Sequence, residues 1–281
     1  MDRWITIEST TVPASDTELT LSQCDDDFAI RISGEQGDLM NSRRHHSEDA
    51  LAEFACTRLS AIENAQILVG GLGMGFTLAA VLKTVGVSAE VIVAELVPAV
   101  VEWNRGHLGR CAGQPIEDGR TRVHLGDLSV LLKQRTDKFD AILLDVDNGP
   151  EPMTHSDNEW LYSLVGLKRI YEKLRPAGIV AIWSARADQA FTNRLKKTGF
   201  NVQMRTVRAR PGKGSRHTIC VAQKPGAQKS GGPGFAVERL TCRQALLAPY
   251  RQLQLLVFSA CSRLFRSEGL QGHSLSPSRV F

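Results

Sequence analysis

The sequence predicts an α/β chain: a seven-stranded, mostly parallel sheet that ends in a hairpin and is preceded by a small β-rich N-terminal element. Three observations carry this. From Gln66 to Cys220 short apolar runs alternate with helical patterns, as βαβ units on a parallel sheet do. A glycine cluster, Gly70-Gly71-Leu72-Gly73-Met74-Gly75, separates the first run from the helix after it. Acidic residues then recur where the runs end, at Glu95, Asp127 and Asp145.

Taken in order, Gln66 to Gly70 reads as the first core strand and Phe76 to Val85 as its helix. Ala89 to Glu95 is the second strand, and Pro98, suited to a helix's first turn, opens a helix ending near Gly106. Arg122 to Leu125 is a third strand with a helix from Asp127, and Phe139 to Asp145 is a fourth. After a long loop, Glu159 to Leu174 reads as one helix stopped by Pro176-Ala177-Gly178. Ile179 to Trp183, a helix from Asp188 to Lys197, and the pair Phe200 to Val207 and His217 to Ala222 complete the sheet. Ahead of the core, Glu18 to Leu21 and Phe28 to Ser33 are β-like around the acidic turn Asp25-Asp26-Asp27. A helix from Glu48 to Leu59 joins them to the core. The expected division is residues 1–60 as β-rich N-terminal element and joining helix, 61–224 as the α/β sheet domain and 225–281 as flexible linker and basic tail.

With 281 residues, 42% hydrophobic and 23% charged, the chain suffices for one large core or two modest ones, and disordered or collagen-like classes drop out. Its longest apolar run, Leu253 to Cys261, is interrupted by Gln254 and Ser259, so no transmembrane segment is expected. Asp2 stands where a signal peptide would carry bases, and the expectation is a cytoplasmic protein. The six cysteines form no Cys-x-x-Cys pair, which suggests neither a disulfide framework nor a metal site. From Pro225 onward seven bases face two acids, so the tail supplies the whole formal excess of +4. Pro225 to Gly234 has linker composition. Leu253, Leu256, Val257, Ala260 and Leu264 beyond it share one helical face, suited to a partner groove, self-association as a homodimer, or an anionic surface.

The glycine turn lies where helix N–H groups point outward and bulky side chains would obstruct a ligand. Position 76, where the dinucleotide fingerprint requires glycine, is Phe76, and no phosphate-loop Gly-Lys-Ser/Thr is present. Gly71, Gly73 and Gly75 therefore point to a nucleoside without a pyrophosphate. Glu95 is about 20 residues beyond the turn, where an acid accepts from both ribose hydroxyls. Asp127 is placed to accept from an adenine amino group; either acid alone also reads as a helix cap or solvated strand end. Asp145, at a strand's carboxyl end, and Asp147, in the Gly-Pro loop beyond it, form a carboxylate pair that can hold a cationic amine and take the proton it loses. Asp147 also reads as a turn former before Asn148-Gly149. His45 and His46 read as a basic surface turn or a lid, and Trp183 as core or pocket wall. Arg205, Arg208, Arg210, Lys213 and Arg216 read as a solvated hairpin; without interleaved aromatics, no nucleic-acid partner is expected.

From about Phe28 to Ala222 these features resemble the spermidine-synthase-like, polyamine aminopropyltransferase-like branch of the Rossmann-like class I S-adenosylmethionine-dependent methyltransferase fold. The resemblance implies that Glu95 binds ribose, Asp127 adenine and Asp145 the attacking amine, with S-adenosylmethionine or its decarboxylated form as donor. Three departures stand out, the first being that the usual Asp-x-x-Asp-Pro loop is shortened to Asp145-Val146-Asp147-Asn148-Gly149-Pro150. The aspartate that family members carry in Gly-Gly-Gly-Asp-Gly-Gly, which grips the donor's amino end, is replaced by Met74. The usual Tyr-His-Glu is matched only by Ser47-Glu48-Asp49. A neutral thioether makes no ion pair, so the first expectation is methyl transfer from S-adenosylmethionine to a small amine. The alternatives are polyamine aminopropyl transfer from decarboxylated S-adenosylmethionine, and a non-catalytic nucleoside-binding protein.

Overall fold

The computed structural model describes residues 3–145, 158–210 and 212–227. The expected Asp147, the Gly149-Pro150 loop and the tail helix lie outside the described residues.

The N-terminal element is an antiparallel sheet of β1 (Ile5–Thr11), β2 (Glu18–Cys24), β3 (Asp27–Ile32) and β4 (Met40–Asn41), in that order. The sequence reading missed β1 and β4. In β1 no residue is fully buried, so the alternation that marks a half-buried strand is absent, and β4 is only two residues long. Leu19, Leu21, Phe28, Ile30 and Ile32 point into the same apolar cluster as Val69, Val81, Val93 and Trp103 of the main body. The contact is also polar: Trp103 Nε1 donates to Glu8 Oε2 at 2.8 Å.

Helix α1 (His46–Cys56) leads into the main sheet. In chain order follow β5 (Gln66–Gly70), α2 (Phe76–Thr84), β6 (Glu90–Glu95), α3 (Pro98–Arg105), α4 (Gly109–Ala112), a 3-10 turn at Pro115–Glu117, β7 (Thr121–Leu125), α5 (Leu128–Gln134) and β8 (Phe139–Leu144). The chain continues with α6 (Asn158–Tyr162), α7 (Leu164–Lys173), β9 (Leu174–Ser184), α8 (Gln189–Thr198), β10 (Asn201–Arg210) and β11 (Lys213–Gln223). The strand order is β10-β11-β9-β8-β5-β6-β7. Strands β9, β8, β5, β6 and β7 run parallel, while β11 is antiparallel to both β9 and β10. This is the predicted seven-stranded sheet with its terminal hairpin.

The single helix expected over Glu159 to Leu174 is two. Ser163, extended in backbone, interrupts it, and its Oγ accepts from Gly166 N at 3.1 Å as the cap of α7. A side chain at 166 would meet the Trp160 carbonyl oxygen at 2.0 Å, so glycine is what permits this close turn. The expected stop at Pro176-Ala177-Gly178 lies inside β9, where the pairing with β8 slips between Phe139 and Ala141 and Ala177 takes a φ of 65°.

Because β6 and β7 lie on one side of β5 and β8 and β9 on the other, the chain changes direction at the β5–β8 seam. The carboxyl ends of those strands form the crevice where open α/β sheets bind ligands. Buried Asp140 fastens this seam from its other end: Oδ2 accepts from Gln66 N at 2.8 Å and from Arg175 Nη1 at 2.6 Å. Asp140→Ala leaves that amide and guanidinium without their acceptor and should cost about 2 kcal/mol. The check is urea unfolding: a lower midpoint with unchanged slope is expected, with Asp140→Asn recovering part of the loss.

Candidate active site

The turn after β5 is held by its neighbours on both sides. Gly71 N donates to Ala94 O at 2.9 Å and Asp145 N to Gly70 O at 3.0 Å, so the ladder is extended past the strand ends. Gly71, Gly73 and Gly75 all have positive φ, at 89°, 52° and 81°. Two of these positions are closely approached by protein. A side chain at 73 would meet Met40 Sδ at 2.4 Å, and one at 75 would meet Asn104 Oδ1 and Pro115 Cγ at 3.0 Å. Asn104 Nδ2 donates to Gly73 O at 2.7 Å and to Val100 O at 2.9 Å. Its buried Oδ1 has no partner among the described residues.

Glu95, 8% exposed at the end of β6, turns its carboxylate onto this turn. Oε2 accepts from Leu72 N and Oε1 from Val97 N, both at 2.9 Å. Burial pushes its carboxyl above the ordinary range, against the opposing pull of backbone amides. Asp127, expected at the adenine, is the N-cap of α5, with Oδ1 accepting from Ser129 N at 2.5 Å. Gly126 N donates to Glu95 O at 2.8 Å, which brings the two acids to one edge of the crevice.

Asp145 follows the fully buried β8 directly and accepts a hydrogen bond from Thr77 Oγ1 on α2 at 2.7 Å. Burial raises its carboxyl well above the usual range, while the Thr77 bond works the other way. It shares a small cleft with Met40, Asn41, Glu48, Leu72, Met74, Phe76 and Thr77. The space left among these side chains is about 10 Å³, close to what one water needs.

Glu48 is the residue that sequence reasoning left without a role. Ser47 Oγ donates to Glu48 Oε2 at 2.6 Å, and burial together with the facing Asp145 raises the Glu48 carboxyl to about 7. The sequence signal for it was its place in Ser47-Glu48-Asp49, the counterpart of Tyr-His-Glu. Nothing local shows that α1 carries this carboxyl to a strand end about a hundred residues later. His45 connects to the cleft as well: its ring stacks on Phe76 at 4.3 Å between centroids and its Nδ1 lies 2.9 Å from Asp49 Oδ2. Trp183 packs against the core with its ring edge-on to His217 at 4.7 Å. Arg205, Arg208, Arg210 and Arg216 are exposed on the hairpin.

The spermine/spermidine synthase domain family matches residues 46–207, more than half of the sequence. The chain belongs to that family. Among curated relatives, it is 34% identical over 109 residues to the polyamine aminopropyltransferases of Saccharolobus solfataricus (strain P2) and Saccharolobus islandicus (strain L.S.2.15). Each match covers 39% of this chain and 34% of the relative, so it spans about a third of those proteins' length. In fold, the chain is similar to a spermidine synthase in complex with the transition-state analogue AdoDATO, with a TM-score of 0.60. It is likewise similar to the spermidine synthase of Thermotoga maritima, with a TM-score of 0.61. Both are 17% identical, with 78% of this chain and 72% of the other covered.

A carboxyl raised in the fold is protonated more readily there than in the unfolded chain, so its ionisation destabilises the fold. For Glu48, stability is full below the unfolded value of 4.5 and falls as pH rises to about 7. That displacement corresponds to about 3 kcal/mol. In urea unfolding between pH 4.5 and 8, the wild-type chain should lose about that much stability relative to Glu48→Gln, and parallel profiles would remove Glu48 from the buried pair.

Proposed function

We propose that the chain is a polyamine-type aminopropyltransferase that uses decarboxylated S-adenosylmethionine as donor and a small amine as acceptor. The observation that carries this reading is the pair Glu48 and Asp145 in one cleft beside the glycine turn. Two buried carboxyls facing each other are costly to ionise unless a cation lies between them. A donor or acceptor ammonium supplies that cation. Family membership and the aminopropyltransferase relatives support the same reading.

The methyl-transfer expectation is given up in favour of this alternative. It rested on Met74, which leaves the turn without the acid that grips the donor's amino end. Met74 and Glu48 line the same cleft, so Glu48 restores from α1 the charge that the turn lacks. Under this reading the donor's amino end faces Glu48, while Asp145 takes the proton from the acceptor amine as its nitrogen attacks the carbon next to sulfur. The sulfonium is already activated, and alignment with proton removal supplies most of the remaining catalysis. Asp147, the second carboxylate of that segment of sequence, is proposed to serve the acceptor amine with Asp145.

Glu95 serves ribose by exchanging one of its backbone amides for a hydroxyl, and Asp127 serves adenine while capping α5. The donor enters by displacing Met40 from Gly73, because the cleft otherwise holds little more than one water. Residues 1–60 thereby cover the site and 61–224 bind the adenosyl group. The tail from 225, the amine partner, a homodimer and a cytoplasmic location remain parts of this proposal.

The nucleoside product discriminates between the chemistries. With decarboxylated S-adenosylmethionine and a diamine, methylthioadenosine and an aminopropylated amine should accumulate in mass-spectrometric assays. S-adenosylhomocysteine from S-adenosylmethionine would instead show methyl transfer. Asp145→Asn should lower turnover by roughly 10²–10⁴ with donor affinity nearly unchanged. Full activity in that variant would assign Asp145 a structural role.

A further inference from the structure

Beyond Glu48 a chain of hydrogen bonds runs from the cleft to the outside of the terminal hairpin. Ser47, 2% exposed in the first turn of α1, donates through Oγ to Glu48 Oε2 at 2.6 Å. The same Oγ lies 3.1 Å from His217 Nδ1 on β11. His217 Nε2 lies 2.7 Å from Oγ of Ser215, an exposed residue. Trp183 closes on the imidazole edge-on and helps hold it in line. Ser215 and His217 lie beyond residues 46–207 that match the family.

The hydrogens in this chain are determined by counting. A serine hydroxyl has one hydrogen. While Ser47 gives it to an ionised Glu48, Ser47 only accepts from His217, whose proton is then on Nδ1. When Glu48 is protonated on Oε2, its O–H becomes the donor to Ser47, Ser47 turns its hydrogen to Nδ1, and the ring carries its proton on Nε2.

We propose that Glu48, Ser47 and His217 are a proton relay that carries the proton lost by the acceptor amine out of the carboxyl pair to solvent beside Ser215. In the outward step, once the aminopropyl group and its ammonium have left the donor, Asp145 gives the amine's proton to Glu48 across the cleft they share and is ionised again. The Glu48 O–H then passes its proton to Ser47 Oγ as Ser47 passes its own to Nδ1. The Nε2 proton leaves to water. The step ends with Glu48 ionised and the ring neutral again, now protonated on Nδ1, so charge and protons balance.

The charged groups bearing on the relay are Asp145 after β8 and Asp49 on α1, both of which raise Glu48, and Arg44 ahead of α1. Burial and Arg44 hold His217 below its usual range, which keeps a lone pair on the ring near neutral pH. Ser47 and His217 act through Glu48. The inference rests on the reading of the cleft as an amine site, and its first test needs no turnover.

In the full chain with ¹⁵N-labelled histidine, NMR should find neutral His217 protonated on Nε2 below about pH 7 and on Nδ1 above it, following Glu48. Ser47→Ala should abolish the switch. A ring that keeps one tautomer across this range in the wild-type chain overturns the relay, as does a switch that persists in Ser47→Ala. The second test is kinetic. With decarboxylated S-adenosylmethionine and a diamine, His217→Ala should lower kcat about 10-fold or more at unchanged KM, and added imidazole should restore it. Unchanged kcat also overturns the relay. A wild-type chain that turns over neither donor refutes the proposed function, and the tautomer measurement then decides the relay alone.

Discussion

Two carboxyl groups in one nearly closed cleft are the constraint on which the rest of the site depends. Asp145 is delivered by β8, which is buried along its whole length, and Glu48 by α1, packed above the strand ends. Each is desolvated, and Asp145 further raises Glu48. Within the resting chain the hydroxyls of Thr77 and Ser47, each donating to one of the two carboxyls, offset part of that cost. A cation between them would relieve it more completely, which is the ground for proposing an ammonium ligand here.

The surroundings explain why the pair persists. Asp140 ties β8 to the start of β5 and to Arg175 of β9, fixing the seam whose opposite end carries Asp145. Glu95 clamps the glycine turn through the amides of Leu72 and Val97, and Asn104 holds Gly73 from α3. Met40 lies against Gly73 from the N-terminal sheet, which joins that sheet to the site physically as well as through the shared core. Glu95, read from the sequence as a ribose acid or a solvated strand end, thus organises backbone, as a turn built for close approach requires.

The parallel sheet was legible because its central strands β5, β6 and β8 are buried on both faces and read as short apolar runs, and because Glu95, Asp127 and Asp145 mark the strand ends. Strand β1 was not legible, since residues such as Ile5 remain exposed and no alternation marks a buried face. The break between α6 and α7 was missed because an apolar face continues across it, while the cap at Ser163 and the close turn at Gly166 are contacts in space. The same limit applied to the site. Asp145 shows in its own segment, but its partner Glu48 lies on a helix about a hundred residues earlier, and His217 meets Ser47 across 170 residues. Met74 read alone favoured methyl transfer, and that Glu48 lines the same cleft is visible only in the fold.

Calorimetric titration of the full chain with decarboxylated S-adenosylmethionine and with S-adenosylmethionine tests the central claim most directly. The two donors differ by one carboxylate, which would face the Glu48–Asp145 pair. The decarboxylated donor should bind at least about tenfold more tightly, about 1.4 kcal/mol. Equal or tighter binding of S-adenosylmethionine would contradict the assignment of the carboxyl pair to a cationic amine.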